Sequence, residues 1–352
     1  MRKFLLFLLV LALLLFFATI GIYEFEISPV SHNKEPKLIS IDKGDNFYNI
    51  SSKLKQNNLI RSETFYKIYL KLSKPSSLTA GNYELNEAMG VKKIIKVLEN
   101  SKNQKIDTIK ITIREGLNIR NIAKTVEEKT DIKKESFLEK VSDKNYIKSI
   151  QSKYWFLTDD IYNEQIYYPL EGYLFPDTYH FEKKDLNEEK IIKTILDNTK
   201  EKFDKYKTEF ENKELSIHQI LTLASLVEQE AVTKEDRALV AGVFFNRLKI
   251  NMSLGSDVTT YYAAKKDLTE SLTKEELNAC NGYNTRCVTM KGLPVGPISN
   301  PSLTSIEAAL NPTQNEFYYF VADSNKKVYF NKTLDEHNKT IAKLKSEGKW
   351  AA

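Results

Sequence analysis

Residues 216–252, SIHQILTLASLVEQEAVTKEDRALVAGVFFNRLKINM, decide how the larger part of this 352-residue chain is read. Ser216 with Gln219 forms a capping box, so a helix starts at Ile217. Ile220, Leu223, Ala224, Val227 and Ala231 recur at helical spacing and form its buried stripe. Thr233, with Asp236 three places on, caps a second helix that runs to about Lys249. Glu228 and Glu230 stand near the end of the first helix. Residues two apart point about 200° away from each other, so the two carboxylates flank the stripe from opposite sides, each roughly 80° from Ile220. Only one can face a given cleft, and the pattern alone does not choose between them. Two solvated helix-end carboxylates would leave the same pattern.

Working outward, residues 106–126 read as an alternating strand, a turn at Glu115-Gly116 and a helix. A charge-rich helical stretch continues to about Ser152. YYPLEGYLFPDTYHF (167–181) is dense in aromatics, Gly and Pro and reads as extended. A helix is expected over 187–210, and the C-terminal third holds a strand pair (317–323 and 327–330) and a final helix. Nearer the N-terminus, LISI (38–41), a turn and helix (44–60), a second helix with Ser62 as N-cap (62–72), a strand (80–85) and a helix (91–100) form a compact rhythm. The fold class is therefore α+β, with a small α+β subdomain over 38–103 and a larger mixed α+β domain over 104–348.

The beginning of the chain is different in kind. Residues 4–22, FLLFLLVLALLLFFATIGI, carry no charge and cover roughly 28 Å as a helix, close to the hydrocarbon thickness of a bilayer. This predicts a transmembrane helix over 4–23, a single pass. Arg2 and Lys3 ahead of it favour a cytoplasmic terminus over 1–3, with the rest of the chain on the outer side of the cell membrane. Residues 24–37 read as a polar linker. A cleaved signal peptide is the competing reading, but the run exceeds the usual apolar length and no small-x-small cleavage site follows.

Bulk composition narrows the function. The 52 Lys+Arg and 47 Asp+Glu are nearly balanced and interspersed, which argues against a nucleic-acid partner. The 19 Tyr and 18 Phe, against 12 Gly and 9 Pro, argue for folded domains rather than a low-complexity stalk. Cys280 and Cys287 either pair to close a short loop or stay as two thiols. The four histidines, His32, His180, His218 and His337, make no metal-ligand cluster, so no metal and no cofactor is expected.

ILTLASLVEQEAVTKEDRALVAGVFFNRL (220–248) resembles the signature of the endolytic murein transglycosylases, the MltG or YceG-like family. The resemblance continues through LEGYLFPDTY (170–179), LGSDVT (254–259), YNT (283–285), GLPVGPI (292–298), AALNP (308–312), YFVAD (319–323), FN (330–331) and HN (337–338). It spans the chain in the family's order. The opening Ile41-x-x-Gly44-Asp45-Asn46-Phe47-x-x-Ile50 resembles the start of a LysM module; an ordinary turn into a helix gives the same residues.

The resemblance breaks the tie between the glutamates. It implies that Glu230 is the catalytic acid of a membrane-anchored lytic transglycosylase that cuts the MurNAc-GlcNAc β-1,4 bond of nascent peptidoglycan strands and leaves 1,6-anhydro ends. Partial burial beside Leu226, Val227 and Phe244 would raise its pKa. Asn246, Asp257, Tyr283, Asn284 and Thr285 are the expected substrate-binding groups, each equally readable as a loop or cap residue. Glu171 and Asp177 are expected to support the fold or the cleft, and His337 to be a structural hydrogen-bonder. Partners implied are glycan strands, the membrane and the cell-wall synthases, penicillin-binding proteins among them. Departures are Ala231, where a Thr or Ser helper hydroxyl is more usual, Val258 and Val295 where proline is more usual, and two extra residues before Gly292. A hydrolytic muramidase with Asp257 as its base, or a non-enzymatic wall-binding scaffold, are the alternatives.

Overall fold

The computed structural model describes residues 2–350 apart from 106 and 185. The chain divides into two compact units, Met1–Asp107 and Thr108–Ala352, each with its own buried core.

The first unit begins with α1 (Arg2–Ile27), uncharged on every side from Phe4 to Tyr23 and with no buried residue. Its mean hydropathy of 3.0 over an 18-residue window and its length are sufficient to cross a membrane. The helix runs four residues beyond Tyr23, so the stretch expected as linker starts as helix. Tertiary contacts explain the extension: Ile27 packs on the core of the unit, and the Arg61 guanidinium lies 4.4 Å from the centre of the Phe25 ring. After α1 come β1 (Lys37–Ile41), α2 (Ser51–Gln56), α3 (Glu63–Ser73), β2 (Gly81–Leu85) and α4 (Val91–Glu99). β1 and β2 pair antiparallel, with Lys37 opposite Leu85 and Ile41 opposite Gly81. Alternation sends Ile39, Ile41, Tyr83 and Leu85 inward to meet Leu54, Tyr66, Leu70, Ile94 and Leu98. A cavity of about 530 Å³ lies between residues 45–48 and residues 74–78.

The second unit holds β3 (Thr108–Thr112), α5 (Ile119–Lys129), α6 (Lys134–Ser142), α7 (Lys144–Gln151), β4 (Thr178–Glu182), α8 (Glu188–Asp204), α9 (Lys207–Glu211), α10 (Ile217–Glu230), α11 (Lys234–Lys249), α12 (Asp257–Ala263), α13 (Lys274–Asn278), α14 (Leu303–Leu310), β5 (Tyr319–Ala322), β6 (Val328–Asn331) and α15 (Leu334–Ser346). β3 pairs antiparallel with β4, and β5 with β6. The single helix expected over 187–210 is two, broken at Lys205-Tyr206. The break turns Phe210 back toward Phe203 and Trp155, at ring distances of 5.5 and 5.9 Å, and both phenylalanines are buried.

Helix α10 is the axis of this unit. Its capping box at Ser216 and Gln219 forms as read from the sequence, and residues 220–227 are all buried. Helices α11 and α14 both pack on it. The stripe of the sequence is thus a helix enclosed on all sides over 220–227, with Thr222 and Ser225 returning their hydroxyls to the backbone carbonyls of His218 and Thr222. Burial stops at the last turn, where Glu228, Gln229 and Glu230 are only partly covered.

Candidate active site

The two glutamates at the end of α10 have opposite fates. Glu228 is locked. Its Oε1 accepts from Arg237 Nη2 at 2.8 Å, and its Oε2 accepts from the Ser302 N–H and hydroxyl at 2.9 and 2.5 Å and from the Ser305 hydroxyl at 2.7 Å. The side chains of the ion pair are 10% exposed for Arg237 and 5% for Glu228. Arg237 also donates to Ala231 O and the Ser302 hydroxyl, so this cluster ties α10, the start of α11 and the start of α14 together. Both carboxylate oxygens of Glu228 are thus taken up in holding the fold.

Among the described residues, Glu230 carries one hydrogen bond from a side chain, the Ser256 hydroxyl at 2.6 Å to Oε1. Its pKa is raised. Desolvation by burial is the chief cause, opposed by the Ser256 hydrogen bond and then strengthened by the negative charge of Asp257; the Arg247 cation pulls the other way. Its place as the last residue of α10 acts in the same direction as burial, because the negative end of the helix dipole disfavours a carboxylate. The residue is partly exposed while its carboxyl is desolvated, a combination suited to a group that gives up a proton to something outside the fold.

Ser256 is informative for what it leaves undone. It is the N-cap residue of α12, yet its side chain caps nothing. An N-cap serine contributes about 1 kcal/mol to its own helix. Here the hydroxyl is turned to Glu230 instead. The residue is clamped from both sides: Ser256 N–H donates to Thr285 Oγ1 at 3.0 Å, Ser256 O accepts from Thr259 Oγ1 at 2.6 Å, and the two threonine hydroxyls are 2.9 Å apart. The neighbouring Gly255 takes φ +58, a conformation that suits glycine, and its N–H reaches Thr285 O at 3.1 Å.

This is where the expected substrate-binding residues fall. Tyr283, Asn284 and Thr285 are 1%, 0% and 1% exposed, so they offer no surface to a sugar. They form the clamp instead. Tyr283 packs against Tyr167 and Tyr262, each at 4.8 Å, and accepts from Tyr167 N–H. Asn284 accepts from Thr260 Oγ1 at 2.7 Å and donates to Ala279 O at 2.7 Å. Cys280 and Cys287 are bonded to each other and close the loop that carries all three. Asp257 lies beside Ser256 on the surface and pairs with Arg286. Asn246 is turned elsewhere: its amide donates to Asn315 and to Phe317 O, holding the 313–317 loop.

Two residues near Glu230 went unread in the sequence. Arg247 donates to Tyr318 O and Leu254 O, both at 2.6 Å, and sits 5.2 Å from the Tyr319 ring centre. Gln229 donates to Gly116 O at 2.8 Å, and Gly116, at φ +74, leaves no room there for a Cβ. His337 starts in the capped helix expected, but among the described residues its buried Nδ1 has no hydrogen-bond partner. It packs on Tyr319 at 5.4 Å, and burial lowers its pKa, so it serves as a neutral ring and not as the structural hydrogen-bonder expected. A cavity of about 740 Å³ lies at the opposite, N-terminal end of α10, lined by Asp160, Ser216, His218 and Val295. It is roughly 20 Å along the helix from Glu230 and belongs to a different place in the fold.

Glu171 is a second buried carboxyl. It accepts from Ile119 N–H at the start of α5, from Tyr262 OH at 3.0 Å and from Asn300 Nδ2 at 2.9 Å, joining α5, α12 and the loop that carries Asn300. Burial outweighs these donors and pushes its pKa up to about 8. A raised acid binds its proton more tightly in the folded state, so its stabilising effect is full below about 4.5 and fades as pH climbs to about 8. Thermal melts of Glu171→Gln and the unaltered protein should therefore diverge over that interval, the variant losing less as pH rises. Parallel curves would refute the assignment. Asp177 accepts from Thr178 N–H and Asn198 Nδ2 on the surface, a turn-holding role.

The family model described as YceG-like matches residues 39–343. The chain belongs to the YceG-like family. The family match covers both the first unit after α1 and almost all of the second. An endolytic murein transglycosylase of Bacillus subtilis is 38% identical over 319 residues, 90% of this chain and 87% of that protein. One from Streptococcus pneumoniae is 32% identical over 328 residues, 89% of this chain but 59% of that longer protein. The crystal structure of a putative yceG-like protein from Listeria monocytogenes superposes with a TM-score of 0.63 at 36% identity, covering 88% of this YceG-like chain and 100% of its own.

Proposed function

We propose that this YceG-like protein is a membrane-anchored endolytic lytic transglycosylase of peptidoglycan, with Glu230 as its only catalytic carboxyl. The observation that carries the reading is the division of labour at the end of α10: Glu228 is consumed by Arg237 and two serines, while Glu230 keeps a desolvated carboxyl and a single side-chain partner. The relatives named endolytic murein transglycosylase supply the substrate class.

In the reaction, protonated Glu230 gives its proton to the glycosidic oxygen leaving C1 of the muramoyl sugar, and the C1–O bond breaks. The carboxylate so formed takes the proton of the muramoyl C6 hydroxyl, whose oxygen bonds to C1 and closes the 1,6-anhydro ring. One group acts as acid and then as base, no water is consumed, and the proton count balances. Most glycosidases need a second carboxylate. Asp257, the one candidate for that role, is already engaged by Arg286.

Ser256 supplies from another loop the hydroxyl that Ala231 lacks. Its donation favours the carboxylate, the form that must act as base in the second half. Ser256→Ala removes that preference, so the Glu230 pKa climbs further. The limb of the pH–rate profile on which activity falls with rising pH should move to higher pH, with kcat reduced about tenfold. An unmoved limb would mean that Ser256 does not act on Glu230.

The apolar α1 anchors the chain, with its N-terminus in the cytoplasm and everything after the helix outside. The LysM-like unit, with its cavity between residues 45–48 and 74–78, holds glycan and presents nascent strands for cutting. Penicillin-binding proteins and other synthases that extend these strands are the partners this activity implies. Incubating uncrosslinked glycan with the protein tests the reading: new strand ends should appear. Binding to sacculi without new ends would support the scaffold alternative.

A further inference from the structure

We infer that α3 is a second membrane contact, which lies on the outer lipid surface beside α1 and fixes the first unit against the bilayer. The inference rests on α1 being a membrane span. The apolar run of α1 ends at Ile22, so Tyr23 stands at the lipid–water boundary, where aromatic residues are favoured. Contacts between the two helices run in opposite directions along the chain. Arg61, just before α3, lies over Phe25 and donates to Pro29 O and Val30 O at 2.7 and 3.1 Å. One turn on, Phe65 of α3 meets Tyr23 at a ring distance of 6.3 Å. Higher numbers on α3 thus face lower numbers on α1, and α3 descends toward the apolar run.

Beyond Phe65, the same face of α3 is apolar and uncovered. Ile68, Tyr69 and Leu72 lie within about 60° of Phe65 around the helix, at the spacing of one stripe. Tyr69 packs on the core of the unit, but Ile68 is 39% exposed and Leu72 70%. They lie roughly 5–10 Å beyond Phe65 along α3, in the direction that leads to the hydrocarbon boundary. The opposite, core-facing side of the helix is already satisfied by Tyr66 and Leu70. Exposed Lys71 flanks the apolar pair on one side and exposed Lys74 follows it at the C-cap, two cations that match anionic headgroups, while Lys67, farther round on the same flank, pairs with Glu63. A bilayer is the one occupant that both the path of α1 and this charge pattern select.

The test uses the full chain in liposomes containing phosphatidylglycerol and nitroxide-labelled lipid, with a fluorophore on Leu72→Cys or, as control, on exposed Lys102→Cys. The native cysteines are bonded to each other, which leaves the introduced thiol for labelling. Quenching at position 72 should exceed that at position 102 by at least about twofold, and Ile68→Glu should cut it by about half, for a side chain seated at the headgroup–acyl boundary. Equal quenching at the two positions, in protein that floats with the liposomes, overturns the docking of α3 and leaves the anchor intact. Failure to float overturns the anchor, and the docking with it.

Discussion

Glu230→Gln is expected to give a folded protein whose rate of glycan cleavage falls by ~10³-fold or more, the loss of its acid and its base in one substitution. The amide keeps the shape of the side chain and can still accept from the Ser256 hydroxyl, so the surrounding clamp has no reason to move. Because the native carboxyl is already pressed toward its neutral form, exchange for a neutral group should leave the melting temperature unchanged or slightly higher. Strand-end counting and a thermal melt on the same sample separate the two effects. Retention of wild-type cleavage would remove Glu230 from the chemistry.

The same substitution two residues earlier should do the reverse. Glu228→Gln strips the counter-charge from Arg237, whose guanidinium is enclosed and fixed by Ala231 O and Ser302. Breaking a buried pair by removing one partner costs about 3–5 kcal/mol, because the remaining charge stays desolvated. In a unit of this size that corresponds to a drop in melting temperature of roughly 10 °C. Below the shifted transition the folded fraction should still cut glycan. Urea titration measures the loss of stability; a change under about 1 kcal/mol, the worth of an exposed pair, would mean that the cluster is not the joint described.

Much of the fold and the site was legible in the sequence because it is local. The caps at Ser62, Ser216 and Thr233 each accept a hydrogen bond from the residue three places on, as their spacing predicts. The opposed directions of Glu228 and Glu230 follow from helix geometry, and the structure supplies a reason to choose between them that does not depend on the family. The features that stayed hidden are non-local. Glu228 and Arg237 are nine residues apart across a turn, outside the spacings at which helical pairs can be read. Ser256 reads as an ordinary N-cap, and nothing in its neighbours says that its hydroxyl is diverted across 26 residues to Glu230. Tyr283, Asn284 and Thr285 are polar and lie in a loop, which suggests a wet surface. Their polar atoms are instead paired inside, where the threonine and asparagine groups hold α12 and the loop before it. The helix break at Lys205-Tyr206 has no proline or glycine to announce it, and only the burial of Phe210 explains it.

The position of Ser256 sets the geometry of the site. Its backbone is held by Thr285 and Thr259, its neighbour Gly255 by Thr285, and Arg247 fixes Leu254 just before it. A loop otherwise free to shift is thereby over-determined, and the disulfide between Cys280 and Cys287 encloses the strand of chain that does the holding.

The most direct test is the chemistry of the new strand ends. Purified glycan strands are digested by the full-length protein in water enriched in heavy oxygen, and the fragments are weighed by mass spectrometry. If Glu230 alone serves as acid and then base, muramoyl ends will be lighter than reducing ends by one water and will carry no heavy oxygen. Reducing ends that contain the solvent's oxygen would contradict that role, because water, and not the C6 hydroxyl, would then have attacked C1.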